Sequence, residues 1–248
     1  MIEERAGPYG GRIDYQRALR YQLDDVNWVT TLFFMTLAVI VPLIGPIVAL
    51  GYQGTVIEAL ARGGAGAPPP RFDLERLADY LLRGLRMFVV SLLISLILLP
   101  IVWLGSVVVL AVVLGATHAM GPGEAVSTAV GCALTGVFGL LAVGLGLGVT
   151  VIATPPLVRA ALDRDLGGIF DFAFARDFLV RTGIDGWKAH GFLILVNLGL
   201  FVLGLLACVV GVFPAVAFGM LVQAHLHGQL YLLYLERGGR RVESAAAA

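Results

Sequence analysis

AVIVPLIGPIVALG, residues 38–51, decides the topology of this chain. The apolar run from Leu32 to Gly51 is about 20 residues, the length of one membrane-spanning helix. Pro42 and Pro46 nevertheless sit in its middle, with Gly45 between them. Each proline lacks an N–H and disfavours helix in the residue before it. The run is therefore either one kinked crossing or a turn-around.

The distribution of charge separates the two. Arg5, Arg12, Arg17 and Arg20 precede the run, and Arg62, Arg71, Arg76, Arg83 and Arg86 follow its continuation. Arg159, Arg164, Arg176, Arg181 and Lys188 form a third group, and Arg237, Arg240 and Arg241 a fourth; together these are all 17 basic residues. A single crossing at 28–51 would put the first two groups on opposite faces, against the bias of basic loops toward the cytoplasm. A turn at Pro42–Pro46 keeps every basic residue inside, and the outer segments then carry only His118 and Glu124 as charged or titratable groups of note. The turn is the expected reading. Both arms of this hairpin, 28–41 and 46–60, are short for a hydrocarbon core of about 30 Å. Local thinning of the bilayer or a re-entrant hairpin would accommodate them, and either keeps both ends on one side.

Composition agrees with the membrane reading. Hydrophobic residues make up 58% and charged residues 14% of 248, against about 45–50% and 25% in soluble domains. Mean hydropathy is +0.90, and a β-barrel would show short alternating segments instead. A net charge of zero gives no reason to expect nucleic-acid binding. Cys132 and Cys208 lie in apolar runs and suggest no disulfide framework. The polar first 27 residues lack the early apolar core of a cleavable signal, so the first apolar segment is expected to be retained.

The expected fold is an all-α integral membrane protein of six transmembrane or near-transmembrane helices, roughly 28–41, 46–60, 87–114, 125–153, 191–210 and 213–235. They pair as three hairpins, each preceded by an interfacial amphipathic helix. Ile13–Asp14–Tyr15, Phe72–Asp73–Leu74 and Phe170–Asp171–Phe172 open the three preceding segments alike. Residues 12–240 thus read as a single polytopic domain with pseudo-repeats at about 12–64, 71–165 and 169–239, between polar tails at 1–11 and 241–248. Leu74, Leu77, Ala78, Leu81, Leu82 and Leu85 follow helical periodicity, with Glu75, Arg76, Asp79, Arg83 and Arg86 opposite and Asp73 placed as N-cap. Phe170, Phe174 and Phe178 repeat more weakly. Arg76, Arg83, Arg86 and Arg176 are candidate lipid-headgroup contacts, although the plainer reading is that these helices only link spans along the membrane.

GPIVALGYQGTVIEALARG (45–63) and PPPRFDLERLADYLLRGLRMFVV (68–90) resemble the bacterial and archaeal family called domain of unknown function 4013. The resemblance rests on Pro46, Gly51–Tyr52, Arg62, Pro70, Phe72–Asp73 and Gly84, and extends to GVFPAVAFGMLVQAHLHGQLYLLY (211–234). The linker GGAGAPPP departs from it. The resemblance implies a polytopic membrane fold in a bacterial or archaeal cytoplasmic membrane and supplies no activity, cofactor or catalytic residue.

Few residues could carry chemistry. QAHLHGQ in the last span places Gln223, His225, His227 and Gln229 near mid-bilayer, where ionisable groups are functional candidates. Gln223–His227 and His225–Gln229 are helical pairs pointing to roughly opposite sides, which argues against one metal site. The plainer reading is neutral imidazoles and amides bonded to neighbouring spans, for instance through Asn197. Glu58 and Arg62 have the spacing of an ion pair. Thr135/Gly139, Ala142/Gly146 and Gly144/Gly148 offer close helix packing, which makes Gly139, Gly144 and Gly148 packing candidates. Trp28, Trp187, Tyr231 and Tyr234 suggest an inner aromatic belt. No motif of a hydrolase, metalloenzyme or nucleotide-binding loop is present. The expectation is a non-enzymatic structural, scaffolding or accessory subunit without cofactor, with both termini cytoplasmic. Its partners would be the lipid bilayer and other membrane subunits or a second copy of itself. The alternative is a transporter or lipid-handling protein with a polar path around the His/Gln cluster.

Overall fold

The computed structural model describes residues 11–119, 124–163 and 171–242. The expected tail before residue 11, the turn at 120–123, Arg164, Phe170 and the end of the chain from 243 lie outside that range. Among the described residues all regular structure is helical: α1 (Tyr15–Arg20), α2 (Trp28–Ile40), α3 (Ile44–Gly63), α4 (Leu77–Ala119), α5 (Glu124–Leu162), α6 (Phe172–Leu206) and α7 (Val212–Glu236). The aspartates of the three similar triads each start a helix. Asp14 accepts from the Arg17 N–H, Asp73 from Glu75 and Asp171 from Phe174, which satisfies amides that helix geometry leaves open.

The chain turns at the paired prolines. α2 stops at Ile40 and α3 starts at Ile44, with Leu43 between them at φ 65°, ψ −63°. Pro46 falls in the first turn of α3, where a missing N–H costs no helical bond. Gly45 lets the two helices touch: a Cβ there would lie 1.7 Å from the Ala38 carbonyl oxygen.

The structure bears out part of the expected arrangement. Among the described residues four helical stretches are long and apolar enough to cross a membrane: Ile44–Gly66, Leu74–Val112, Gly131–Leu162 and Phe172–Leu206. α2 has only 13 residues, and α7 carries QAHLHGQ in its centre. The amphipathic segments are not all separate helices. The second begins with a 3-10 turn (Leu74–Arg76) and runs straight on into α4, past Pro100. The third is continuous with α6 except at Gly183, whose φ of 47° and ψ of −127° break the helix.

The chain divides into two compact units, Met1–Ser91 with Val151–Ala248, and Leu92–Thr150. In the first, α7 is the core. From Leu221 to Tyr234 every residue except Gln223 is buried, and α6, α3, α2 and α1 all pack on it. Small residues make this approach possible, as at Gly228, where a Cβ would meet the Leu60 side chain at 2.4 Å. A helix enclosed by protein can carry polar residues that lipid would reject. The enclosure also overturns the belt assignment of Tyr231 and Tyr234, which are both 1% exposed. Their hydroxyls accept from the N–H groups of Val242 and Arg240 and pin the C-terminal segment. The second unit consists of the distal parts of α4 and α5, which expose Ile97, Trp103, Leu140 and other large apolar side chains.

Candidate functional site

The polar stripe of α7 opens to two sides. On one side Gln229 holds the start of α1. Its Oε1 accepts from the Asp14 N–H at 2.7 Å, and its Nε2 donates to the Asp14 carbonyl at 2.8 Å. The second amide hydrogen reaches His225 Nδ1 at 3.0 Å. That makes Nδ1 the acceptor and leaves the proton of a neutral imidazole on Nε2. The His225 ring lies 4.1 Å from that of Tyr21, and Ala18 packs with Val222, Leu226 and Leu193. The N-terminal segment is thus fastened to the centre of the bundle by a two-point amide clamp and an apolar patch.

On the other side His227 faces His190 of α6, ring to ring at 5.6 Å. His190 Nδ1 donates to the Gly186 carbonyl at 2.8 Å, so its Nε2 accepts from the Thr154 hydroxyl of α5 at 2.9 Å. His225 Nε2 and His227 Nε2 are buried and have no hydrogen-bond partner among the described residues. No group of three His, Cys, Asp or Glu that could hold a metal ion occurs among those residues.

The structure does not gather the candidates into one site. Asn197 bonds back to the Leu193 carbonyl of its own helix at 2.9 Å and abuts Gly219. Gln223 is half-buried. His190, Thr154, Asp14 and Tyr21 escaped the sequence reading as partners. Only the two-residue offset of His225 and His227, which sends them to opposite faces of α7, signalled that separate neighbours were needed.

A second polar layer lies at the charged ends of the helices. Glu58 pairs with Arg62 and, at 2.5 Å, with Arg83, which also donates to Thr55. Arg86 donates to the Asp163 carbonyl. Arg159 pairs with Asp171 at 2.6 Å and with Asp163 at 3.7 Å, and Arg240 reaches Asp171 at 3.1 Å. Arg237 pairs with Asp185 at 2.5 Å. The Phe174 N–H and the Arg159 guanidinium hold the Asp171 carboxyl below the usual carboxylate range. Of the candidate headgroup arginines, Arg83 and Arg86 are therefore engaged inside the protein. Arg76 is half-exposed beside Asp79 at 3.7 Å, and Arg176 is exposed. A Cβ at Gly139 or Gly144 would meet nothing within 4 Å, and Gly148 is half-exposed.

A close helix crossing lies elsewhere, between α3 and α4. A Cβ on Gly51 would lie 1.8 Å from the Tyr80 carbonyl oxygen, and one on Gly84 would lie 1.7 Å from that of Ile47. Around this backbone contact Tyr52, Phe72 and Tyr80 form a three-ring cluster with centroids 5.1 to 5.8 Å apart. Tyr52 donates to the Pro70 carbonyl at 2.5 Å, and the Asp73 N–H donates to the Tyr80 hydroxyl at 3.2 Å. Gly51, Tyr52, Pro70, Phe72, Asp73 and Gly84 thus form one joint. The family described as "Protein of unknown function (DUF4013)" matches residues 34–222. The chain belongs to this family. Six of the positions that carry the resemblance, Gly51, Tyr52, Pro70, Phe72, Asp73 and Gly84, lock α3 against α4, which is an architectural role. No curated protein and no solved structure matches the chain at a significant level.

Proposed function

We propose that this DUF4013 protein is a non-enzymatic multi-pass membrane protein that serves as a structural, scaffolding or accessory subunit of a membrane assembly. One observation carries this reading. The polar side chains of α7 that bond across the bundle turn inward onto the protein's own elements, as in the Gln229–Asp14 clamp, and line no shared site. The helices of Leu92–Thr150, by contrast, offer large apolar side chains outward, suited to acyl chains and to a neighbouring helix.

In this reading three hairpins, α2–α3, α4–α5 and α6–α7, enter from one side, each led by an Asp-capped segment, as three divergent copies of one unit. Both termini are cytoplasmic, in a bacterial or archaeal cytoplasmic membrane. The ion pairs support the one-sided arrangement. A connected series from Arg86 through Asp163, Arg159 and Asp171 to Arg240 joins three of the four basic groups. Arg76 and Arg176 remain as the headgroup contacts. Purification in mild detergent should yield a stoichiometric partner or a defined self-assembly. A monodisperse monomer that moves a solute across liposomes would overturn the proposal.

A second reading, transport or lipid handling, is favoured by the unpartnered Nε2 atoms of His225 and His227. It requires that His225→Leu with His227→Leu abolish transport in a protein that still folds. The structural reading requires that assembly survive the pair of substitutions.

A further inference from the structure

We infer that the α2–α3 hairpin is re-entrant, with its bend at Val41–Ile44 ending in the hydrocarbon and covered by lipid acyl chains. The inference rests on the membrane reading above and adds the depth at which this hairpin stops.

Length is the first argument. α2 has 13 residues and rises about 20 Å. α3 is longer, but Glu58 is ion-paired to Arg62 and Arg83 and marks the charged level. From Glu58 to Ile44 the helix rises only about 21 Å, against a hydrocarbon core of about 30 Å. Both arms fall short by roughly the same third of the bilayer.

The bend itself suits hydrocarbon. Every side chain from Leu37 to Ala49 is apolar or absent. Leu43 is 82% exposed and Ile44 59%, and leaving such side chains in water costs about 1.5–3 kcal/mol each. Three backbone N–H groups of the bend are bonded locally. Val41 donates to Leu37, Ile44 to Pro42 and Gly45 to Val41, and the prolines have no N–H to satisfy. Each backbone group bonded in this way is spared the cost of several kcal/mol that an unsatisfied one carries in hydrocarbon. The Ile44-to-Pro42 bond closes a three-residue γ-turn around Leu43, a strained conformation for a leucine. Asn or Gly would relieve that strain in a water-facing bend, so a leucine at this position fits a bend surrounded by lipid.

The α6–α7 bend makes the contrast. It has a similar closure, with Val209 at φ 66° and Val210 donating to Cys208. Its arms, residues 184–206 beyond the break at Gly183 and the 25 residues of α7, rise about 34 and 37 Å and are long enough to bring it to the opposite headgroups.

The test uses the full chain with Cys132→Ala and Cys208→Ala. A nitroxide is placed by Leu43→Cys, or separately by Ile44→Cys, in phosphatidylcholine–phosphatidylglycerol liposomes. Val209→Cys and the exposed surface position Glu75→Cys serve as references. Depth is read from collisions with oxygen against those with a water-soluble nickel chelate. The expected result is an oxygen-to-nickel ratio several-fold higher at 43 and 44 than at 209 and 75. Ratios at 43 and 44 equal to that at 209, or reaction there with an impermeant maleimide in sealed vesicles, would overturn re-entrance. Free aqueous collision at all four positions would instead overturn the membrane reading itself.

Discussion

Replacing Gly84 by alanine probes the joint on which α3 and α4 turn. The new Cβ would lie 1.7 Å from the Ile47 carbonyl oxygen and 2.9 Å from the Gly51 nitrogen. Ordinary contact needs a little over 3 Å, so the helices must part by about 1.5 Å or rotate, and the cluster of Tyr52, Phe72 and Tyr80 loosens with them. Overpacking of this kind costs about 1–3 kcal/mol, and contact with rigid backbone rather than a flexible side chain puts Gly84 at the upper end. Alanine also gains about 1 kcal/mol of helix propensity over glycine, so the net loss is about 2 kcal/mol. Gly139→Ala supplies the internal control, because its Cβ meets nothing within 4 Å and only the propensity gain remains. Thermal unfolding in mild detergent, followed by circular dichroism, should show Gly84→Ala clearly destabilised and Gly139→Ala unchanged or slightly stabilised. Equal behaviour of the two variants would refute the assignment of the α3–α4 crossing as the tight contact.

Two further outcomes follow from the polar contacts. Gln229→Leu removes both bonds to the Asp14 backbone and should cost about 2 kcal/mol; limited trypsin digestion should then cut at Arg17 and Arg20 several-fold faster, and an unchanged cleavage rate would refute the clamp. Asp171 has a lowered pKa in the folded protein, so its stabilising contribution is complete above the ordinary carboxylate range and is lost as pH falls through the lowered value. The stability difference between wild type and Asp171→Asn should therefore be constant from about pH 8 to pH 5 and narrow below about pH 4, as read by unfolding curves across that range.

Much of the architecture was legible because its causes are local. Pro42 and Pro46 end and restart helices through their own covalent geometry, and Asp14, Asp73 and Asp171 cap helices through neighbouring amides. The Glu58–Arg62 pair needs only helical spacing. What was not legible depends on which surfaces meet. Gly139 and Gly144 have the spacing of a packing face, yet the tight crossing uses Gly51 and Gly84, because small residues permit approach without choosing the partner. The enclosure of α7 is not legible in sequence because a helix apolar around most of its circumference looks alike whether lipid or protein surrounds it. The partners of its polar atoms, Asp14 among them, lie as far as 215 positions away in sequence. The internal partners of Arg83 and Arg86, Glu58 and the Asp163 carbonyl, were not legible for the same reason.

The enclosure of α7 also gives biogenesis an order. α1, α2, α3 and α6 all precede it in the chain, so each surface that receives its amides and imidazoles has been synthesised by the time it leaves the ribosome. A segment carrying two histidines and two glutamines within seven residues has little reason to partition into bare acyl chains. On the proposed membrane reading its insertion would be an act of docking, in which the earlier helices supply a proteinaceous slot and the final helix closes it like a bolt.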